Sequence, residues 1–141
     1  MRRKLHYLLT LPLLALAACG QSPDEQLRSE VKAASSWAAT AQAAAEAWAK
    51  GYVTHAYARR TLEAAQASLQ EAADALEAAE EIPAARRSQA GERIGSLRQT
   101  VNSMRAAVEG GDRQSLAQSL GQLDRQRQEL EALTKGAGGG R

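Results

Sequence analysis

The fold of this chain is decided by the stretch Pro83-Ala-Ala-Arg-Arg-Ser-Gln-Ala-Gly-Glu-Arg-Ile-Gly-Ser-Leu-Arg-Gln-Thr-Val-Asn-Ser-Met-Arg-Ala-Ala-Val-Glu-Gly110-Gly111. It opens on a proline, which is favoured at a helix start, and it closes on two glycines, which end helices. Between these ends the apolar residues recur at intervals of three and four, the spacing of one helical face. That face comprises Ala90, Ile94, Leu97, Val101, Met104 and Val108.

The same spacing recurs three more times, and residues that stop or start helices separate the repeats. Ser22 and Pro23 are typical of a helix start, Gly51 of a helix end, and Asp112 of a cap. Pro83 cannot continue a helix because its ring clashes with the carbonyl four residues earlier, so we expect the second helix to end near Ile82. Strand signals are missing, since no run alternates apolar and polar residues. Four helices are predicted, over about residues 24–50, 55–82, 84–109 and 113–135.

Short connections between helices of this length favour antiparallel neighbours. The predicted fold is therefore all-α, an up-down-up-down four-helix bundle. We expect alanine to fill many core positions of the first two helices, and larger aliphatic side chains to come from the third and fourth. Large apolar side chains are few for this length, so a long helical hairpin or coiled coil completed by oligomerisation is the alternative.

The beginning of the chain carries a different signal. Arg2, Arg3 and Lys4 precede an apolar run that reaches Ala18 and is shorter than the roughly 20 residues of a membrane-spanning helix. A basic start followed by a short apolar run is typical of an export signal. The run ends in Leu16-Ala17-Ala18-Cys19, which resembles the lipobox of bacterial lipoproteins.

This resemblance implies cleavage between Ala18 and Cys19 and a diacylglycerol on the Cys19 thiol. A second acylation at the new amine would anchor the protein stably in the membrane, whereas one acyl chain alone binds only marginally. Because Gly20 rather than an aspartate follows the cysteine, the resemblance favours the outer membrane, facing the periplasm, in a Gram-negative host. The predicted parts are a signal peptide at 1–18, a tether at 19–23, the bundle at 24–135 and a flexible glycine-rich tail at 136–141.

The charge of the chain changes when the predicted signal is removed. Residues 1–18 hold three of the 18 basic side chains and no acidic one, which leaves 15 basic against 16 acidic side chains and a net charge of −1. We therefore expect no nucleic-acid partner. The first half of the remainder is acidic and the second half basic. We expect the acidic end of the second helix to meet Arg86 and Arg87, and a partner-binding surface is the alternative.

Few residues suggest catalysis or a cofactor. With Cys19 assigned to lipid, the chain has no second cysteine for a disulfide. A haem would have to be ligated by His55 and Met104, and the spacing of the residues gives no support for that pair. Glu80-Glu81 is more consistent with a solvated helix surface than with an acid–base pair. We expect no enzyme activity, no catalytic residue, no metal site and no cofactor beyond the lipid.

Aromatic residues concentrate around the first predicted turn, at Trp37, Trp48, Tyr52 and Tyr57, together with Val53. Trp37 and Trp48 are 11 residues apart, about three helical turns, and so share nearly one face. Packing into the core is the default interpretation. A ligand site or a partner anchor is the alternative, because tryptophan and tyrosine are favoured anchors at interfaces.

The sequence thus predicts a lipid-anchored helical lipoprotein of the cell envelope. Its role would be structural or would consist of binding an envelope protein, without catalysis. The alternative is a periplasmic small-ligand-binding or holdase-like chaperone lipoprotein that uses the tryptophans and tyrosines. A homo-oligomer would accompany the coiled-coil alternative.

Overall fold

The computed structural model describes residues 21–135 and shows an all-α four-helix bundle, as predicted. The helices are α1 (Pro23–Ala49), α2 (His55–Ala78), α3 (Ala84–Gly110) and α4 (Arg113–Lys135). The described residues contain no strand. The predicted signal peptide, Cys19 and the tail at 136–141 lie outside the described residues.

Neighbouring helices run antiparallel. Arg93 and Thr100 of α3 reach Glu129 and Gln126 of α4, so residue numbers fall along α4 as they rise along α3. Contacts of α1 with α2 and α4, and of α2 with α3, close the bundle. One end of the bundle holds the start of α1, the turn between α2 and α3, and the end of α4. We call the opposite end, which holds the turns at 50–54 and 111–112, the tip.

Side-chain caps start three of the helices. Ser22, Thr54 and Asp112 each accept a hydrogen bond from the amide three residues later, at 3.2, 3.1 and 3.0 Å. Gly51 and Gly111 take left-handed backbone conformations, with φ of 78° and 66°, in the turns that follow α1 and α3. Glycine adopts this conformation without steric cost, which is why both helices end there.

The end of α2 differs from the prediction. The helix stops at Ala78, and the backbone leaves helical geometry at Ala79, where ψ is 74°. The predicted end near Ile82 is wrong: the residue before a proline is disfavoured in helical conformation, which accounts for Ile82 alone, and the three residues before it also leave the helix to form the turn. The turn instead places the Ile82 side chain in the core, where it is 1% exposed. The connection between α2 and α3 therefore closes one end of the core with an apolar side chain.

The core is built from small side chains on one side and larger ones on the other. In the middle of α1 it consists of four alanines with no exposed surface, which we call the alanine seam: Ala34, Ala38, Ala41 and Ala45. The larger buried side chains of α3 are Ile94, Leu97, Val101, Met104 and Val108. Because alanine projects only one carbon from the backbone, α3 also contacts α1 across the diagonal of the bundle.

All four helices bury their apolar faces against one another within one chain. The bundle thus has a core without the second copy that the coiled-coil alternative requires. Among residues 21–135, none of the helices combines the length and the apolar character needed to cross a membrane.

We predict that Ala38→Leu lowers the free energy of unfolding by about 1–3 kcal/mol, because three added carbons must fit where the helices are in contact. Ala43→Leu on the exposed face of α1 is the matched control and should change stability by less than about 0.5 kcal/mol. Urea unfolding followed by circular dichroism measures both values. Equal effects of the two substitutions would show that α1 is not packed through the seam.

Candidate binding surface at the tip

The structure divides the predicted aromatic cluster into two groups. Trp37 and Trp48 are partly buried and pack against the core, as their default interpretation predicted. The default interpretation is wrong for Tyr52 and Tyr57, which are 78% and 55% exposed and lie outside the core. Trp37 lies about 16 Å along α1 from Trp48, by the helical rise, and so belongs to the middle of the bundle and not to the tip.

Backbone hydrogen bonds fix the turn that carries Tyr52. The amide of Tyr52 donates to the carbonyl of Ala47 at 2.8 Å, which closes the end of α1 around Gly51. Val53 is half-buried and packs against the core, and Thr54 then caps α2. The turn therefore holds its backbone and Val53 firmly while the Tyr52 ring remains in solvent.

A second contact ties the two turns of the tip together. The guanidinium carbon of Arg113 lies 6.0 Å from the centroid of the Trp48 ring, at the limit of a cation–π contact. Arg113 is the first residue of α4, and Trp48 lies in the last turn of α1. The positive charge of Arg113 stays at the surface, since Arg113 is exposed, whereas Trp48 is partly buried.

The acidic side chains near the tip are engaged within the chain. Glu46 accepts from Gln42 at 3.0 Å, and Glu63 and Glu109 pair with Arg59 and Arg105 at 3.4 and 3.9 Å. These are exposed or half-exposed i,i+4 contacts, so their role lies in occupying the carboxylates more than in adding stability.

Asp112 is occupied as well. Its carboxylate accepts hydrogen bonds from the Ser115 hydroxyl at 2.6 Å and from the Ser115 amide at 3.0 Å. These bonds lower the pKa of the Asp112 carboxyl. The carboxylate therefore stays ionised to a lower pH than an ordinary aspartate does, and each of its two oxygens accepts one of these bonds.

Two exposed cations at the tip differ from these acids in their ion pairing. Lys50 and Arg60 are exposed and take part in no ion pair among the described residues. Arg60 follows Tyr57 by three residues, so the two side chains are neighbours on α2. The tip surface, as we use the term, comprises Lys50, Tyr52, Tyr57, Arg60 and Arg113.

The predicted pairing of the two hairpins is wrong in its partners. Arg86 pairs with Asp24 at the start of α1, and Arg87 donates to the backbone carbonyl of Glu77 at 2.9 Å. The carboxylates of Glu80 and Glu81 make no ion pair within residues 21–135. Because α2 ends four residues early, both lie in an exposed turn instead of on the helix face toward α3. Arg87 instead provides a cation for the last turn of α2.

Met104 and His55, the two residues considered as haem ligands, differ in burial. Met104 has no exposed surface, whereas His55 is exposed at the first position of α2. In the part of the chain that the structure describes, no three histidine, cysteine, aspartate or glutamate side chains are grouped so that they could hold a metal ion.

The grooves described next lie between helices, and their lining residues do not belong to the aromatic cluster. One lies between α2 and α3, and another between α1 and α4 beside Ser35 and Glu131. No tryptophan or tyrosine lines these two grooves, a third groove beside Glu77 and Gly91, or a fourth beside Gln26 and Glu80. The α2–α3 groove is lined by long polar side chains and one alanine, and the carbon atoms of these residues make up most of the lining surface: Gln66, Ala67, Gln70, Arg98, Gln99 and Asn102.

The two aromatic groups should respond differently to substitution. Trp37→Ala should lower the free energy of unfolding by about 2 kcal/mol, less than the 3–5 kcal/mol of a fully buried ring, because Trp37 is partly exposed. Tyr52→Ala and Tyr57→Ala should each change it by less than about 0.5 kcal/mol, since their rings lie mostly in solvent. Urea unfolding decides between these roles: a loss of about 2 kcal/mol at either tyrosine would place that ring in the core.

Comparison with known proteins gives no family model that matches the chain, no matching curated protein and no matching solved structure. The function of the chain is therefore inferred from its own residues.

Proposed function

We propose that the chain is a lipid-anchored, non-catalytic protein of the bacterial cell envelope that acts by binding another envelope protein. The observation that carries this proposal is the motif Leu16-Ala17-Ala18-Cys19 at the end of a short apolar run. Placement in the outer membrane, facing the periplasm, follows from Gly20 if the host is Gram-negative. The covalent lipid on Cys19 is the one cofactor-like group of the proposal.

The geometry of the bundle supports a role at a distance from the membrane. The cap Ser22 starts α1 only three residues after Cys19, so little free chain separates the lipid from the bundle. The 27 residues of α1 span about 40 Å. A bundle standing on its anchored end presents the tip surface about that far from the lipid headgroups.

The exposed acids at the anchored end give the bundle surface no attraction for an anionic membrane. Glu80 and Glu81 lie exposed in the turn beside the start of α1. Carboxylates at this end would repel an anionic lipid surface, whereas exposed cations lie at the tip. Contact with the membrane would thus depend on the acyl chains and not on attraction of the bundle surface to lipid headgroups.

The alternative role, small-ligand binding or holdase activity through the aromatic cluster, receives less support. A small-molecule site is concave and mostly apolar. Trp37 and Trp48 use their apolar surface against the core, whereas Tyr52 in the turn and Tyr57 in the first turn of α2 are exposed. Exposed aromatic side chains beside cations suit a protein partner better than a small ligand.

The anchor is tested by lipid labelling. Cells given labelled palmitate should label the wild-type chain, and Cys19→Ser should lose the label completely because the serine hydroxyl does not accept the diacylglycerol. Globomycin, which inhibits the lipoprotein signal peptidase, should make the uncleaved form of the wild type accumulate. Ser22→Ala is the matched control, since it alters a position just beyond the motif and should keep the label. An unlabelled wild type would refute the anchor.

A further inference from the structure

We infer that the tip surface is a docking site for an acidic segment of a partner protein. The inference deepens the proposed function, on which it rests, by assigning the binding role to Lys50, Tyr52, Tyr57, Arg60 and Arg113 and by stating the chemistry of the partner.

Exposed aromatic surface is the first support. Within residues 21–135, the large apolar or aromatic side chains that are mostly in solvent are Tyr52 and Tyr57. Both belong to the same end of the bundle, although neither is needed for the core. Tyrosine is among the residues that carry most binding energy at protein interfaces, because its ring buries a large area at a small entropic cost.

Charge is the second support. Each carboxylate near the tip is bound within the chain, as shown for Glu46, Glu63, Glu109 and Asp112. Lys50 and Arg60 have no such partner among the described residues, and Arg113 contacts an aromatic ring instead of a carboxylate. Hydrogen bonds do not cancel the charge of a carboxylate, so the five cations and four carboxylates of this end sum to +1. The excess positive charge lies on cations exposed beside the tyrosine rings, and carboxylates on the partner complement it.

Arg113 lies beside the Trp48 ring, with its guanidinium carbon 6.0 Å from the ring centroid. Its side chain is exposed, so the guanidinium is accessible to a partner. A guanidinium can meet a carboxylate in two parallel hydrogen bonds. Arg113 and Arg60 can therefore each recognise an aspartate or glutamate of the partner.

The same features disfavour other occupants. Two tips brought together would oppose the cations of one copy with those of the other, which is destabilising. An uncharged glycan would leave the cations of the surface without opposite charge. A protein segment with carboxylates and an apolar side chain fits what remains.

In-cell photocrosslinking tests the inference. The full-length chain carries p-benzoylphenylalanine in place of Tyr52 or Tyr57, and the crosslinked products are identified by mass spectrometry. Gln99, exposed in the middle of α3, is the control position. We expect protein adducts from positions 52 and 57 in excess of those from position 99, and the crosslinked segment of the partner should carry net negative charge.

Charge reversal makes the test specific. Lys50→Glu combined with Arg60→Glu should lower the yield of these adducts by about tenfold or more, because each reversal replaces attraction by repulsion. Arg98→Glu reverses an exposed charge away from the tip and should leave the yield unchanged. Thermal unfolding of each variant verifies that the bundle remains folded.

Several outcomes would overturn the inference: adducts with glycan or with a second copy of the chain, a crosslinked segment without net negative charge, a yield equal to that of position 99, or a yield unaffected by charge reversal. Lipid labelling of the same cells reports on Cys19 separately. A failed anchor with tip adducts present would refute the proposed location and leave the docking surface supported.

Discussion

The small side chains with which α1 fills its part of the core are the constraint on which this bundle depends. Four core positions of α1, the alanine seam, hold alanine with no exposed surface, so each of them contributes only one side-chain carbon to the core. Such a core buries little apolar area per residue, and the hydrophobic stabilisation scales with that area. Long helices compensate, since each further turn adds another buried layer. The larger side chains of α3 fill the space that α1 leaves.

Long helices separate the ends of the molecule, and the two ends have different chemistry. The end that holds Ser22 lies three residues from the predicted lipidation site and carries the exposed carboxylates of Glu80 and Glu81. The tip carries exposed tyrosines and cations. In the function we propose, the helices act as a spacer: the acyl chains hold one end, and the other end meets the partner. No catalytic group is needed for that role.

Much of the fold could be predicted because its determinants are local. Apolar spacing placed all four helices, and the caps Ser22, Thr54 and Asp112 depend on side chains within a few residues of the bonds they make. The end of α2 could not be placed in this way. It depends on the burial of Ile82, which exists only once the helices are packed.

The binding surface was predictable only in part. The tyrosines could be found from the concentration of aromatic residues in the sequence. Their distance from Trp37 in the folded chain could not. The contact between Arg113 and Trp48 requires the end of α1 to lie beside the start of α4, and the partners of Arg86 depend on the register of the bundle. Counting charged residues gave the sign of the net charge of each half of the chain, but it did not show which residues form ion pairs.

The distance between the two turns of the tip tests the central claim, that one chain folds back three times into a closed bundle. Spin labels at Tyr52 and Gln114 should give a single distance below about 30 Å, since bundle helices pack 8–10 Å apart and the labels add their own length. Dilution with unlabelled chain should not change it. A distance near 80 Å, about two helix lengths, or one that disappears on dilution would show that the helices open out or pair between copies, and would contradict this account.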